Sequence, residues 1–157
     1  MRARSVIAAV ILLCLMGTTH AADKSPQQIL GGKPTATSSG ASRYYDGQGG
    51  YAGRSSSSGP STRLYSSQGS YAGRVDASKD STRLYDGKGA YSGRTTASGS
   101  DTRFYDSKGA YSGRSSTSGN DTRFYDGKGA YSGRSSTSGT TTRFYDAQGR
   151  YVGSKTK

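Results

Sequence analysis

The sequence predicts an all-β protein: a repeat array of six 20-residue β-hairpins, arranged as a meander or twisted sheet and preceded by a signal peptide and a flexible leader. Three observations lead there. An Arg-x-Tyr triplet returns every twenty residues, a Gly-containing turn sits at a fixed place between two tyrosines in each copy, and the N-terminus carries the signature of export.

At the N-terminus, Arg2 and Arg4 precede an apolar run from Val6 to Met16, which gives way to the small and polar residues Gly17, Thr18, Thr19, His20 and Ala21. The run is about half the ~20 residues that a membrane-spanning helix needs, so it predicts no membrane span but a secretory signal over residues 1–21, cleaved after Ala21. Cys14 suggests a lipid anchor, but Leu13 stands where a lipoprotein signal requires a small residue, and the apolar run continues past it. Export places the mature chain in the periplasm, at the cell surface or outside the cell.

Cleavage removes the only cysteine, Cys14, and the only histidine, His20, and the sequence contains no glutamate. These absences exclude a disulfide, a Cys/His metal site and any Ser-His-Asp or Cys-His mechanism, so no enzyme and no cofactor are expected. Packing material is scarce too: beyond residue 21 the Leu, Ile, Val and Phe residues together are fewer than the thirteen tyrosines. The precursor has a net charge of +12, which attracts polyanions. Residues 22–42 are polar, contain Pro26 and Pro34, and read as the leader; residues 43–157 hold the array.

The repeat unit reads Thr-Arg-Phe/Leu-Tyr-Asp-x-Lys/Gln-Gly-x-Tyr-x-Gly-Arg, followed by a Ser/Thr/Gly-rich spacer that reads as solvated, as at Ser55 to Ser58. In Asp106-Ser107-Lys108-Gly109, Asp supplies the side-chain acceptor of a type I turn and Gly the left-handed residue after it. The second turn position varies between Gly, Ser and Ala, which favours a type I turn with a bulge at the Gly over a two-residue mirror-image turn. A three-residue loop sets Asp106 opposite Ala110, Tyr105 opposite Tyr111, Phe104 opposite Ser112 and Arg103 opposite Gly113. One face then carries Arg103, Tyr105, Tyr111 and Gly113, and the other Thr102, Phe104, Ala110, Ser112 and Arg114. Gly113 leaves room for the Arg103 guanidinium to lie across a ring, a contact worth about 0.5–1 kcal/mol when exposed. Two strands per repeat hold equivalent arginines about 10 Å apart, beyond the Debye length of about 8 Å at physiological salt.

Tyr145-Asp146-Ala147-Gln148-Gly149-Arg150-Tyr151 resembles the core of the YD repeats of Rhs-type bacterial surface and toxin proteins, and the likeness extends over residues 43–153. Copy two departs from it at Ser66, and most copies have Ala or Ser where that core has Arg after the Gly. The resemblance implies β-hairpin sheets outside the cytoplasm, some of them carbohydrate-binding, and implies no catalytic residue. In organisation alone, with signal, leader and near-identical units, the chain is similar to curlin-type amyloid subunits.

The candidate ligand-binding residues are the three columns of the Tyr/Arg face: Arg43, Arg63, Arg83, Arg103, Arg123 and Arg143; Tyr45, Tyr65, Tyr85, Tyr105, Tyr125 and Tyr145; and Tyr51, Tyr71, Tyr91, Tyr111, Tyr131 and Tyr151. Tyrosine stacks on sugars and bases while arginine engages phosphate, sulfate or carboxylate, so a polyanion or polysaccharide is the expected partner, and nucleic acid only if it is extracellular. Tyrosine is equally suited to supplying the core that the aliphatic residues cannot. Asp46, Asp86, Asp106, Asp126 and Asp146 read as turn caps, since calcium-loop spacing is absent. The other function class is a fibre subunit in which near-identical β-prone segments self-associate and stack.

Overall fold

The computed structural model describes residues 40–157, so the expected signal peptide, its cleavage after Ala21 and nearly all of the leader lie outside the described residues. Twelve strands follow one another: β1 (Gly40–Asp46), β2 (Tyr51–Ser58), β3 (Ser61–Ser66), β4 (Tyr71–Ala77), β5 (Ser81–Asp86) and β6 (Tyr91–Ser98). The series continues with β7 (Asp101–Asp106), β8 (Tyr111–Ser118), β9 (Asp121–Asp126), β10 (Tyr131–Ser138), β11 (Thr141–Asp146) and β12 (Tyr151–Thr156). Every strand pairs antiparallel with its neighbours in sequence, and β1 pairs with β12, so the expected open meander is a closed barrel. Closure satisfies the backbone groups that the first and last strands of an open sheet leave unpaired. β1 starts three residues before the expected boundary at residue 43, and Ser42, assigned above to the leader, is buried within it.

The alternation of Thr-Arg-Phe-Tyr drives the strands, with Thr and Phe or Leu facing in and Arg and Tyr facing out. Leu64, Val75, Leu84, Phe104 and Phe144 line the interior beside a row of threonines that includes Thr62, Thr82, Thr102, Thr122 and Thr142. Tyr44, in the Phe/Leu column of the first copy, is the tyrosine that joins this core. Because serine and threonine outnumber the apolar residues among the buried side chains, hydrogen bonds between hydroxyls take over part of the packing: Ser57 pairs with Thr62 at 2.8 Å, Thr117 with Thr122 at 3.0 Å and Thr137 with Thr142 at 2.9 Å. The hydroxyl of Thr95 is buried without a partner, at a column position that Val75 fills in the second copy.

The Asp-Gly turns take the expected form. In the fourth copy the Gly109 amide donates to the Asp106 carbonyl at 3.0 Å, the Asp106 amide donates to Ala110, and the Asp106 carboxylate accepts from the amides of Lys108 and Ala110. Gly109 has φ +83°, the left-handed conformation that follows a type I turn in this loop. The Ser/Thr spacer is not solvated linker, contrary to expectation. It forms the second half of each even-numbered strand, with Ser55, Thr95, Ser115 and Ser135 buried, and it closes onto the next repeat through a tight turn beginning at Gly59, Gly99, Gly119 or Gly139.

The register departs from expectation past the tyrosine pair. Asp106 and Tyr105 face Ala110 and Tyr111 as expected, but the pairing then shifts by one residue, so Phe104 faces Gly113 and Arg103 faces Arg114. Ser112 is the extra residue of a β-bulge. The cause is Gly113: its φ is +149°, and a Cβ there would lie 2.5 Å from the carbonyl oxygen of Tyr125 on the next hairpin. The second glycine column is therefore where two backbones approach too closely for any side chain. The bulge also turns Arg114 onto the outer face that Arg103 occupies, overturning the sorting that put them on opposite faces.

Two substitutions separate the glycine columns. Gly113→Ala is expected to cost about 3 kcal/mol, combining backbone strain with the clash, while Gly109→Ala, with nothing within 4 Å of the new methyl, costs about 1 kcal/mol. Urea denaturation of both variants checks the order, and equal losses contradict the close approach at Gly113.

Candidate functional site

Each Tyr pair is fixed by the turn it flanks. The turn and its bulge set the two tyrosines directly opposite one another, and the rings of all six pairs meet edge to face with centroids 6.1–6.2 Å apart. This is the favourable arrangement for two ring quadrupoles. Tyr51, Tyr71, Tyr91, Tyr111, Tyr131 and Tyr151 are each exposed by 40–42%. Their partners Tyr45, Tyr65, Tyr85, Tyr105, Tyr125 and Tyr145 are half-buried. Both columns lie on the outer face, so the packing role open to tyrosine falls to Tyr44 in the interior instead.

What covers the second set of rings is an arginine outside the predicted columns. Across β2 and β3, Arg54 stands opposite Tyr65 and its guanidinium lies 4.2 Å from the ring centroid. Arg74 over Tyr85, Arg94 over Tyr105, Arg114 over Tyr125 and Arg134 over Tyr145 repeat the contact at 4.2–4.6 Å. The stacked residue is thus the Arg that follows the second glycine, and its ring belongs to the next copy. The expected stacking of Arg103 and its equivalents does not occur. The sequence contained the signal, a second Arg column at fixed spacing, but the one-residue bulge that brings it to the outer face was missed.

The two arginine columns meet. Arg43 faces Arg54, Arg63 faces Arg74, Arg83 faces Arg94, Arg103 faces Arg114 and Arg123 faces Arg134 across neighbouring strands, so arginines of the two columns meet within each hairpin while equivalent arginines of successive copies keep the expected two-strand spacing. In the last copy Ser154 stands opposite Arg143. Ser154 also faces Tyr45 across the closing strand pair, leaving that ring without the arginine cover of the other five. Among the described residues the ion pairs are Arg74 with Asp76 at 2.9 Å and Arg150 with Asp146 at 2.7 Å. The arginine belt therefore carries little internal neutralisation.

The same seam has a second peculiarity on its inner side. Lys155 occupies the interior column filled by Ser, Val or Thr in the other copies, opposite Tyr44 on β1 and Thr142 on β11. Burial, with a smaller contribution from Lys157, lowers its amino group from 10.5 to about 8. Burial raises the Tyr44 phenol from 10.0 to about 12, against the opposing effect of its 3.0 Å hydrogen bond with Ser55.

Each carboxylate of the Asp-Gly turns accepts amide bonds from its own loop, and among the described residues no three His, Cys, Asp or Glu side chains come together as a metal site. No described helix is long and apolar enough to cross a membrane. Compared with protein-family models, curated proteins and solved structures, the chain matches none. What the face can do is present flat aromatic surface and guanidinium edges side by side, at equal intervals around a barrel.

The titrations at the seam give a pH profile. Lys155 loses its proton near pH 8 in the folded chain and near 10.5 when unfolded, so between those values the unfolded state binds more protons and stability rises with pH. For Tyr44 the unfolded state deprotonates first, near 10, and stability falls as pH climbs towards 12. The melting temperature is expected to peak near pH ~10, and Lys155→Met to raise it at neutral pH and flatten the rise. An unchanged profile in that variant contradicts the inward position of Lys155.

Proposed function

We propose that this is an exported, non-enzymatic repeat protein of the cell surface, periplasm or extracellular matrix that binds a polyanion or glycan through the Tyr/Arg face of its barrel. The observation that carries the reading is the belt of arginines, five of them stacked on tyrosine rings, with little carboxylate to neutralise them. A stacked guanidinium engages the ring through its flat face and keeps its N–H edge for an oxyanion, and less side-chain entropy is lost when it binds. Exposed tyrosines beside it suit the apolar face of a sugar ring. The resemblance to YD repeats, some of them carbohydrate-binding, points the same way. Arginines around the middle of the outer face also favour a barrel standing in water over one embedded in lipid, where an apolar band is required.

A fibre subunit is the second reading. β-strand stacking between chains needs a free sheet edge, and the pairing of β1 with β12 supports the binding role over polymerisation by leaving none among the described strands. A fibre would have to begin by opening that pair.

Binding of residues 22–157 to a sulfated polysaccharide, measured across a salt series, tests the proposal. Affinity is expected to fall at least about tenfold between 50 and 200 mM salt, since released counterions drive such binding, and Arg83→Gln with Arg94→Gln to weaken it a further tenfold or so without loss of fold. No retention on any acidic polymer overturns the reading, and a β-rich pellet that binds amyloid dyes favours the fibre.

A further inference from the structure

We propose that the binding element is the cross-strand arginine pair, that each pair takes one oxyanion group of an anionic polysaccharide, and that the second copy is a site blocked by its own Asp76. This rests on the polyanion-binding reading and specifies where the anion sits.

Two arginines that are direct cross-strand partners repel one another, even where the second guanidinium leans over a ring on the following strand. The arrangement recurs in five copies, and in one of them the chain itself supplies the missing anion: Asp76 Oδ2 lies 2.9 Å from Arg74 Nε, while Asp76 Oδ1 accepts a 2.7 Å hydrogen bond from the Ser61 hydroxyl. Asp76 stands in an outward column that holds Ser56, Thr96, Ser116 and Ser136 in the other paired copies. Asp101 and Asp121 lie in the same row one strand away, yet neither comes within 4.0 Å of an arginine nitrogen. The carboxylate of Asp76, bonded to Arg74 and standing opposite Arg83 on β5, therefore marks the position that an external carboxylate or sulfate would take beside the pair Arg43 and Arg54 in the first copy, where Ser56 stands in its place. Hydrogen bonds from an already stacked guanidinium to such a group are charge-assisted and short, and a second arginine across the strand adds to the same field.

Spacing selects the polymer. Equivalent pairs are separated by two strands, on the order of 10 Å around the barrel. That suits a chain with an anionic group on every second sugar better than a nucleic acid, whose phosphates follow one another every ~3.4 Å of duplex axis on each strand. The tyrosine pair beside each arginine pair gives the intervening sugar a ring to lie on.

The test uses hyaluronan oligosaccharides, with a carboxylate on every second sugar, as probe and isothermal titration as readout. Asp76→Ser installs the residue already present at Ser56, Ser116 and Ser136, and the fold accepts it there. It is expected to tighten binding about fivefold and to add a site, while Asp80→Ser, an equal charge change in the adjacent turn, moves affinity less than about twofold. Arg74→Gln is expected to cost little in the native background and about fivefold in the Asp76→Ser background, whereas Arg54→Gln costs about fivefold in both. Equal effects of Asp76→Ser and Asp80→Ser, or of Arg74→Gln and Arg54→Gln in the native chain, overturn the pair assignment and leave general polyanion binding standing. Tighter binding to duplex DNA of matched charge overturns the choice of polysaccharide. Failure of every variant to bind any of these polymers overturns the binding reading and this assignment with it.

Discussion

The barrel depends on the second glycine of each repeat. At Gly53, Gly73, Gly113 and Gly133 a carbonyl oxygen of the following hairpin lies 2.4–2.5 Å from where a Cβ would be, and the backbone sits at φ between +145° and +149°. No L side chain fits there. One residue earlier the strand carries its bulge, and the pairing beyond it shifts by one. Bulges of this kind bend a strand and increase its twist, and twist repeated in every hairpin is what curls a twelve-stranded sheet until its first and last strands meet. The same shift delivers the second arginine column to the outer surface. Fold and candidate site thus share one local cause.

A barrel built this way needs little oil. Its apolar interior is a single column of Leu, Phe or Tyr44 with Val75 and Val152 added, and among the described residues Leu64, Val75 and Leu84 form a tight cluster. The rest of the interior is serine and threonine, which are inexpensive to bury when their hydroxyls find each other, as those of Ser57 and Thr62 do. Closure contributes by pairing the backbone of every strand on both sides, and the outer face adds six edge-to-face tyrosine pairs and five stacked arginines. A composition that leans towards disorder when only aliphatic residues are counted is compatible with an ordered chain because aromatic and guanidinium groups pack on the outside.

Much of this was legible from the sequence. The period gave the hairpins, and the Asp-to-Gly spacing gave the turn type and the Tyr105–Tyr111 pairing, because local backbone chemistry decides all three. What escaped was the role of Gly113, since a close approach from a strand on another hairpin leaves no trace in the spacing within one copy. Missing it displaced Arg114 to the wrong face and paired Arg103 with the wrong residue. The Ser/Thr segments read as spacer for a related reason: their alternation is between small polar residues on both faces, so no hydrophobic period marks Ser115 as buried and Ser116 as outward. Closure was equally hidden, although the last copy carries its marks in Ser154 and Lys155, where the repeat pattern breaks at the seam.

The seam is therefore where the account is most exposed to test. Single cysteines placed by Arg43→Cys and Thr156→Cys, which face one another across β1 and β12, would be treated with a short thiol cross-linker in dilute solution. A closed barrel predicts rapid cross-linking within one chain, at a rate independent of protein concentration. Cross-linking only between chains, or none, would mean that the two terminal strands do not pair and that the sheet is open.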